Sequence, residues 1–179
     1  TGTLLTLASL HMIEGDRRKG INLILQWMQE VETVTAQSWS LLAQAYYQID
    51  DFREALKASQ TAVSLAELEG YTPKEYWYVI MAASYEELKK EIGEKETILK
   101  QLEIYEVLVN LYPKKRYVLQ LGQAYGTLGR EADYMVALSA AYQSDYLDKQ
   151  GEYLTLAQLL LMNGNPYQAA SVIVAGQKK

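Results

Sequence analysis

The chain has 179 residues, 49% of them apolar and 22% charged, which is the composition of a packed rather than a disordered protein. Its formal net charge of −5 argues against a general binder of nucleic acid or anionic lipid, because both need a cationic surface. It has no cysteine, which excludes disulfides, thiol catalysis and thiolate metal sites and leaves the compartment open. Only 3 prolines interrupt it, and apolar residues recur at intervals of three and four, so an all-α fold is expected. Tyrosine outnumbers phenylalanine 15 to 1, a bias suited to positions with one apolar side and one wet edge.

Leu4, Leu7, Ala8 and His11 open the chain on one helical face. Gly15 and Asp16 make a turn, and Gly20, Ile24 and Trp27 line a second helix, with Gly20 allowing close approach. Trp39, Leu42, Ala43 and Tyr46 then repeat the first spacing. A turn at Ile49-Asp50-Asp51-Phe52 offers an aspartate N-cap, and Ala55, Ser59 and Ala62 face back from the next helix. Gly70 is placed to end that helix. Thr72, Pro73 and Glu75 read as cap, first residue and capping-box partner of a third repeat carrying Tyr78, Met81, Ala82 and Tyr85.

The register then slips. Tyr105, Leu108 and Pro113 anchor the next helix, leaving about seven extra residues within 89–96. These are charged and are expected as about two solvated extra turns of the hairpin. Val118, Leu121, Gly122 and Tyr125 begin a fourth repeat, turned at Leu128-Gly129-Arg130 and answered by Tyr134, Leu138 and Ala141. Tyr153, Leu156, Ala157 and Leu160 begin a fifth, which turns at Asn163-Gly164 and restarts with Asn165 as cap and Pro166 as first residue. The repeats fall at residues 1–34, 36–70, 73–113, 115–148 and 150–179, a single array. The array begins and ends on apolar helices rather than polar caps, so a piece of a longer protein is expected.

Little here points to catalysis. The one histidine, His11, occupies the slot of Tyr46, Tyr85 and Tyr125 and reads as a packing residue. No His-His or His-Glu pair has metal-ligand spacing, no glycine-rich loop follows a strand, and Asp50-Asp51 and Glu86-Glu87 are adjacent residues that point apart on a helix. No catalytic residue, metal or cofactor is assigned. The clusters Arg17-Arg18-Lys19, Lys89-Lys90 and Lys114-Lys115-Arg116 read as solvated helix ends. The longest uncharged stretch, residues 153–177, is broken by Asn163-Gly164-Asn165-Pro166, so no membrane insertion is expected.

The spacing Trp39, Leu42-Ala43, Tyr46, Ala55, Ala62, copied along the chain, resembles tetratricopeptide (TPR) repeat proteins. The resemblance implies a TPR-type α-solenoid of about five helix-turn-helix repeats, a right-handed superhelix whose first helices line a concave groove. Counting from the anchors places Gln37, Leu41, Gln44, Tyr47 and Gln48 in that groove, with Tyr76, Val79, Ile80 and Ala83 from the third repeat. Arg116, Leu119, Gln120, Gln123 and Thr127 follow from the fourth, and Gln158 and Met162 from the fifth. Ser40 falls among the same positions. Gln44, Gln123 and Gln158 share one repeat position, and an amide row suits a peptide backbone laid along the groove. Polar side chains bonding between repeats are the plainer reading. Arg116 is the only cation among these positions, so strong capture of a free C-terminal carboxylate, as in co-chaperone TPR domains, is not expected.

A narrower resemblance lies in Leu42-Ala43-Gln44-Ala45-Tyr46-Tyr47-Gln48, Leu111-Tyr112-Pro113 with Leu121-Gly122, Ala140-Ala141-Tyr142 with Tyr146-Leu147, and Leu156-Ala157 with Pro166-Tyr167-Gln168-Ala169-Ala170. These motifs, over about residues 40–175, resemble bacterial envelope TPR proteins encoded beside TonB, ExbB and ExbD. The stretch at 89–96 departs from that pattern. The resemblance implies a periplasmic, non-enzymatic scaffold that assists TonB-dependent uptake of iron complexes. It would bind a protein or peptide partner, with self-association through exposed terminal helices a further route. Two alternatives stay open: a TPR segment of a cytoplasmic regulatory or assembly protein, and part of a larger enzyme whose catalytic domain lies elsewhere.

Overall fold

A computed structural model describes residues 2–178. Among them are eleven helices and no strand. The chain divides into two compact units, residues 1–97 and 98–179.

The first unit holds α1 (Gly2–Glu14), α2 (Arg17–Glu30), α3 (Ala36–Gln48), α4 (Phe52–Leu68), α5 (Glu75–Glu87) and α6 (Lys89–Ile92). Helices α1 and α2 pair as a hairpin, as do α3 and α4; α2 packs on α3, and α4 on α5. The anticipated turns are present. Asp16 accepts from the Lys19 N–H at 3.4 Å, and Asp51 accepts from the Glu54 N–H at 3.3 Å. Ala8, Leu42, Ala43, Ala55 and Ala62 are buried, and the small residues sit where helices meet. A Cβ on Gly20 would lie 2.7 Å from Met12 Sδ and 3.0 Å from the Ala8 carbonyl, so the close approach assigned to Gly20 is real.

Helix α7 (Glu94–Leu111) runs through the boundary between the units. The second unit continues with α8 (Lys115–Thr127), α9 (Glu131–Gln143), α10 (Gln150–Met162) and α11 (Pro166–Gly176). The hairpins are α8–α9 and α10–α11, with α9 packed on α10. Leu138, Ala141, Leu147, Leu156 and Leu160 form its main core, while Leu102 of α7 meets Leu121 and Ala124 of α8. Gly122 and Gly126 clear space for Tyr134: added Cβ atoms would lie 3.3 and 2.8 Å from its ring.

The turns share one device. At Asp50, Gly70, Gly129, Asp145 and Gly164 the backbone takes positive φ. The next N–H then reaches back to the carbonyl of Tyr46, Ala66, Tyr125, Ala141 or Leu160, at 2.8–3.0 Å. This is the left-handed helix stop, which glycine takes freely and Asp or Asn tolerates.

Several expectations need correction. Helix α5 starts at Glu75 and is capped by the Lys74 carbonyl, 3.1 Å from the Trp77 N–H, so Thr72 and Pro73 precede the helix. Lys74 is extended, at φ −73° and ψ 145°, which moves the start two residues on. The extra residues at 89–96 are not one continuous helical extension. Lys89–Ile92 form the separate turn α6, which Gly93, at φ 93° and ψ 152°, a conformation open to glycine alone, divides from α7, and 94–96 open α7. Ion pairs hold that turn: Arg53 to Glu91, and Lys89 to Glu86 and Glu94 at 3.6 and 3.3 Å. Leu7 is 42% exposed although Leu42, its counterpart, is buried against Ile21 and Ile24 of the preceding repeat. Asn165 stands at the cap of α11, but its amide donates to the Asn163 carbonyl instead of capping.

Candidate functional site

The first helices α3 and α5 lie side by side in the same direction, each of 13 residues and 39 positions apart in sequence. Their starts are tied together. Gln37 Nε2 donates to the Tyr76 hydroxyl at 3.0 Å, Lys74 Nζ donates to Gln37 Oε1 at 2.8 Å, and the Ser40 and Tyr76 hydroxyls share a hydrogen bond of 2.9 Å. Burial pushes the Tyr76 phenol up, but the polar groups around its oxygen, Ser40 foremost, and the Lys74 charge outweigh it and hold the phenol below the usual tyrosine range. Gln37 is therefore engaged within the protein. Ser40 is buried and belongs to this inter-repeat contact rather than to an open surface.

Further along this face the side chains change character. Leu41, Val79, Ile80 and Ala83 are half-buried, and Gln44 and Gln48 stand exposed beside them. Leu41 and Ile80 also rest on the core around Leu42 and Ala43. By helical spacing these residues fall on one face, an apolar strip edged by amides. Tyr47 stands near the end of α3, its ring edge-on to Phe52 with centroids 5.2 Å apart. Burial, then the charges of Glu87 and Asp50, push the Tyr47 phenol up, so both carboxylates act on this ring.

A cleft of ≈ 500 Å³ adjoins this edge, lined by Arg18, Ile21, Asn22, Leu25, Tyr46, Ile49, Asp50 and Asp51. Arg17 donates to the Gln48 carbonyl at 3.3 Å and so serves the exposed end of α3.

In the second unit, Leu119 packs against the core beside Val118, while Gln120, Gln123 and Thr127 are exposed along α8. Arg116 stacks on the Tyr117 ring, 4.5 Å from its centroid, and bonds its hydroxyl. Gln158 and Met162 are exposed on α10. The amides of Gln44, Gln123 and Gln158 bond no other group among the described residues, unlike that of Gln37. Gln123 and Gln158 share one unit; Gln44 belongs to the other.

Sequence reasoning named Gln37, Ser40 and Tyr76 without joining them, and missed Lys74. The signal was available: Gln37 to Tyr76 and Gln37 to Lys74 are 39 and 37 residues apart, the repeat period. It also missed that the charges of Asp50 and Glu87 both reach the Tyr47 phenol. The same offset sets Gln48 beside Glu87 once α3 and α5 lie parallel. His11 is half-buried, with Nδ1 3.6 Å from Glu14. Among the described residues no cluster of His, Cys, Asp or Glu could hold a metal, and no helix is long and apolar enough to cross a membrane.

Comparison with solved structures identifies this stacking of helix pairs. MamA AMB-1 superposes with a TM-score of 0.65 at 12% identity, over 98% of this chain and 89% of that one. MamA from Desulfovibrio magneticus RS-1 gives 0.61 at 13%, over 99% and 93%. A thermophilic TPR protein of Thermus thermophilus gives 0.52 at 18%, over 99% and 90%. The fold is the tetratricopeptide-repeat fold. At these identities the likeness shows the fold alone. No protein-family model matches the chain, and no curated protein matches it by sequence.

Proposed function

We propose that this TPR chain is a non-enzymatic scaffold that holds a polypeptide on the faces of its first helices. One observation carries the reading: the strip of Leu41, Val79, Ile80 and Ala83 on α3 and α5, edged by the exposed amides of Gln44 and Gln48. An apolar strip anchors side chains, and unpaired amides suit a main chain. The equivalent Gln123 and Gln158 extend the chemistry to the second unit. The reading includes five stacked repeats in a right-handed superhelix. On the motif resemblance alone, we propose further that the partner belongs to a TonB–ExbB–ExbD assembly in the periplasm.

Site-specific photo-crosslinking in cells tests this. A crosslinking residue at Gln44, Gln123 or Gln158 is expected to capture a discrete partner; one at Ser64, exposed on the second helix α4, is not. Capture from Ser64 alone would move the interface to the second helices. Replacing Gln44, Gln123 and Gln158 together by alanine is expected to weaken partner binding with helicity and melting unchanged. Loss of folding instead would make the three amides structural. The identity of the captured protein tests the TonB assignment separately.

A further inference from the structure

The charge of this chain is unevenly placed. Residues 1–97 hold nine Lys and Arg against fifteen Asp and Glu, a net charge of −6, whereas residues 98–179 hold eight against seven, a net charge of +1. All of the excess negative charge therefore belongs to the unit that carries the α3–α5 strip.

That charge also collects at one edge of the strip. The C-terminal ends of α3 and α5, already the negative poles of their helix dipoles, are followed or closed by Asp50, Glu86 and Glu87. The nearby cations are mostly committed. Lys89 pairs with Glu86 and Glu94, Arg53 with Glu91, and Arg17 with the Gln48 carbonyl. Arg18 shares the adjoining cleft with Asp50 and Asp51, one cation facing two carboxylates. Asp50 and Glu87 have no hydrogen bond or ion pair from any described side chain, both are exposed, and the charges of both reach the Tyr47 phenol. An aromatic ring beside two unmatched carboxylates suits a lysine or arginine side chain.

We infer that the α3–α5 face receives a basic segment of the partner polypeptide, with apolar side chains on Leu41, Val79 and Ile80 and cationic side chains at the edge formed by Tyr47, Asp50 and Glu87. The inference rests on the scaffold reading above and adds the chemistry of the occupant. Complementary charge at such an edge sets orientation and on-rate more than total affinity.

The test uses the whole chain and three matched fluorescent peptides that share their apolar residues and differ only in carrying lysine, glutamate or serine at the polar positions. At low salt the lysine peptide is expected to bind roughly three- to tenfold tighter than the serine peptide, the scale of two exposed ion pairs. Raising the salt should erase that advantage. The double variant Asp50→Asn, Glu87→Gln should erase it too, and it should fold normally, since asparagine tolerates the left-handed position at 50. The control variant Glu30→Gln, Glu69→Gln removes the same charge elsewhere in the unit and should keep the preference. Equal binding of the lysine and serine peptides, or loss of preference in the control pair as well, overturns the inference and leaves the scaffold reading standing. Serine-peptide binding that ignores Gln44→Trp, which fills the strip without adding charge, overturns the scaffold reading itself. No binding by any of the three peptides counts against both.

Discussion

At the residue scale, tyrosine does two jobs that phenylalanine cannot. Tyr76 ties two repeats together through its hydroxyl, and Tyr153 donates to the Leu147 carbonyl at 2.7 Å, pinning the connection before α10. Tyr125 does the same between α8 and α7, donating to Glu106 at 2.8 Å. Burial first, then that hydrogen bond and the Glu106 charge, push its phenol up to about 12. A raised folded value means that the neutral phenol is favoured by folding. Its contribution is complete below the unfolded tyrosine value near 10 and is lost as pH rises through about 12. Tyr125→Phe should therefore cost about 1 kcal/mol near neutral pH, the low side for a charged acceptor because the pair is partly exposed. Denaturant unfolding at several pH values should show the two proteins converging between about pH 10 and 12. A gap that persists unchanged above that range would mean the hydroxyl contributes through packing alone.

At the element scale, most of the fold could be read from spacing, because small residues at helix contacts and glycine stops recur with the repeat. Gly20, Ala43, Ala55, Gly70 and Gly129 each sit where a fixed offset puts them, and each has one mechanical reason to be small or to take positive φ. The stops at Asp50 and Asp145 were harder to see, since aspartate there also reads as an ordinary cap or turn residue. The extra residues at 89–96 were legible as extra but not as a separate turn. That outcome depends on Gly93 and on ion pairs from Arg53 and Lys89, which no helical periodicity encodes. For the candidate site, helical spacing could assign residues to a first-helix face. It could not tell an engaged amide such as Gln37 from an open one such as Gln44, because that difference depends on Lys74 and Tyr76 one repeat away. Gly93 offers a direct check. At φ 93° and ψ 152° any side chain is strained, so Gly93→Ala should destabilise by about 1–3 kcal/mol although its Cβ would meet nothing within 4 Å. Gly151, inside α10 and equally unobstructed, is the control: alanine there should be neutral or stabilising by up to about 1 kcal/mol. Equal effects of the two substitutions in thermal melts would show that the α6–α7 break does not depend on backbone geometry.

At the scale of the whole molecule, the question is how far damage travels. Each unit has its own buried cluster, one around Leu42 and Ala43, the other around Leu138 and Leu156. Stacked repeats are stabilised by each unit and its nearest neighbours rather than by one central core. The sequence supplies a reporter for this, since Trp27, Trp39 and Trp77 all lie within residues 1–97. Tryptophan fluorescence therefore follows the first unit, while helical circular dichroism follows the whole chain. Leu156 is 1% exposed and Leu42 2%, so truncating either to alanine should cost about 2–5 kcal/mol locally. Leu156→Ala should split the dichroism transition and leave the tryptophan transition near its original midpoint. Leu42→Ala should move the tryptophan transition itself to lower denaturant. The two substitutions act on different units, so the contrast between them, rather than either shift, measures coupling along the array. Identical shifts of both signals by both substitutions would mean that the chain unfolds as one cooperative block and that a partner bound to the first unit stabilises the second as fully as its own.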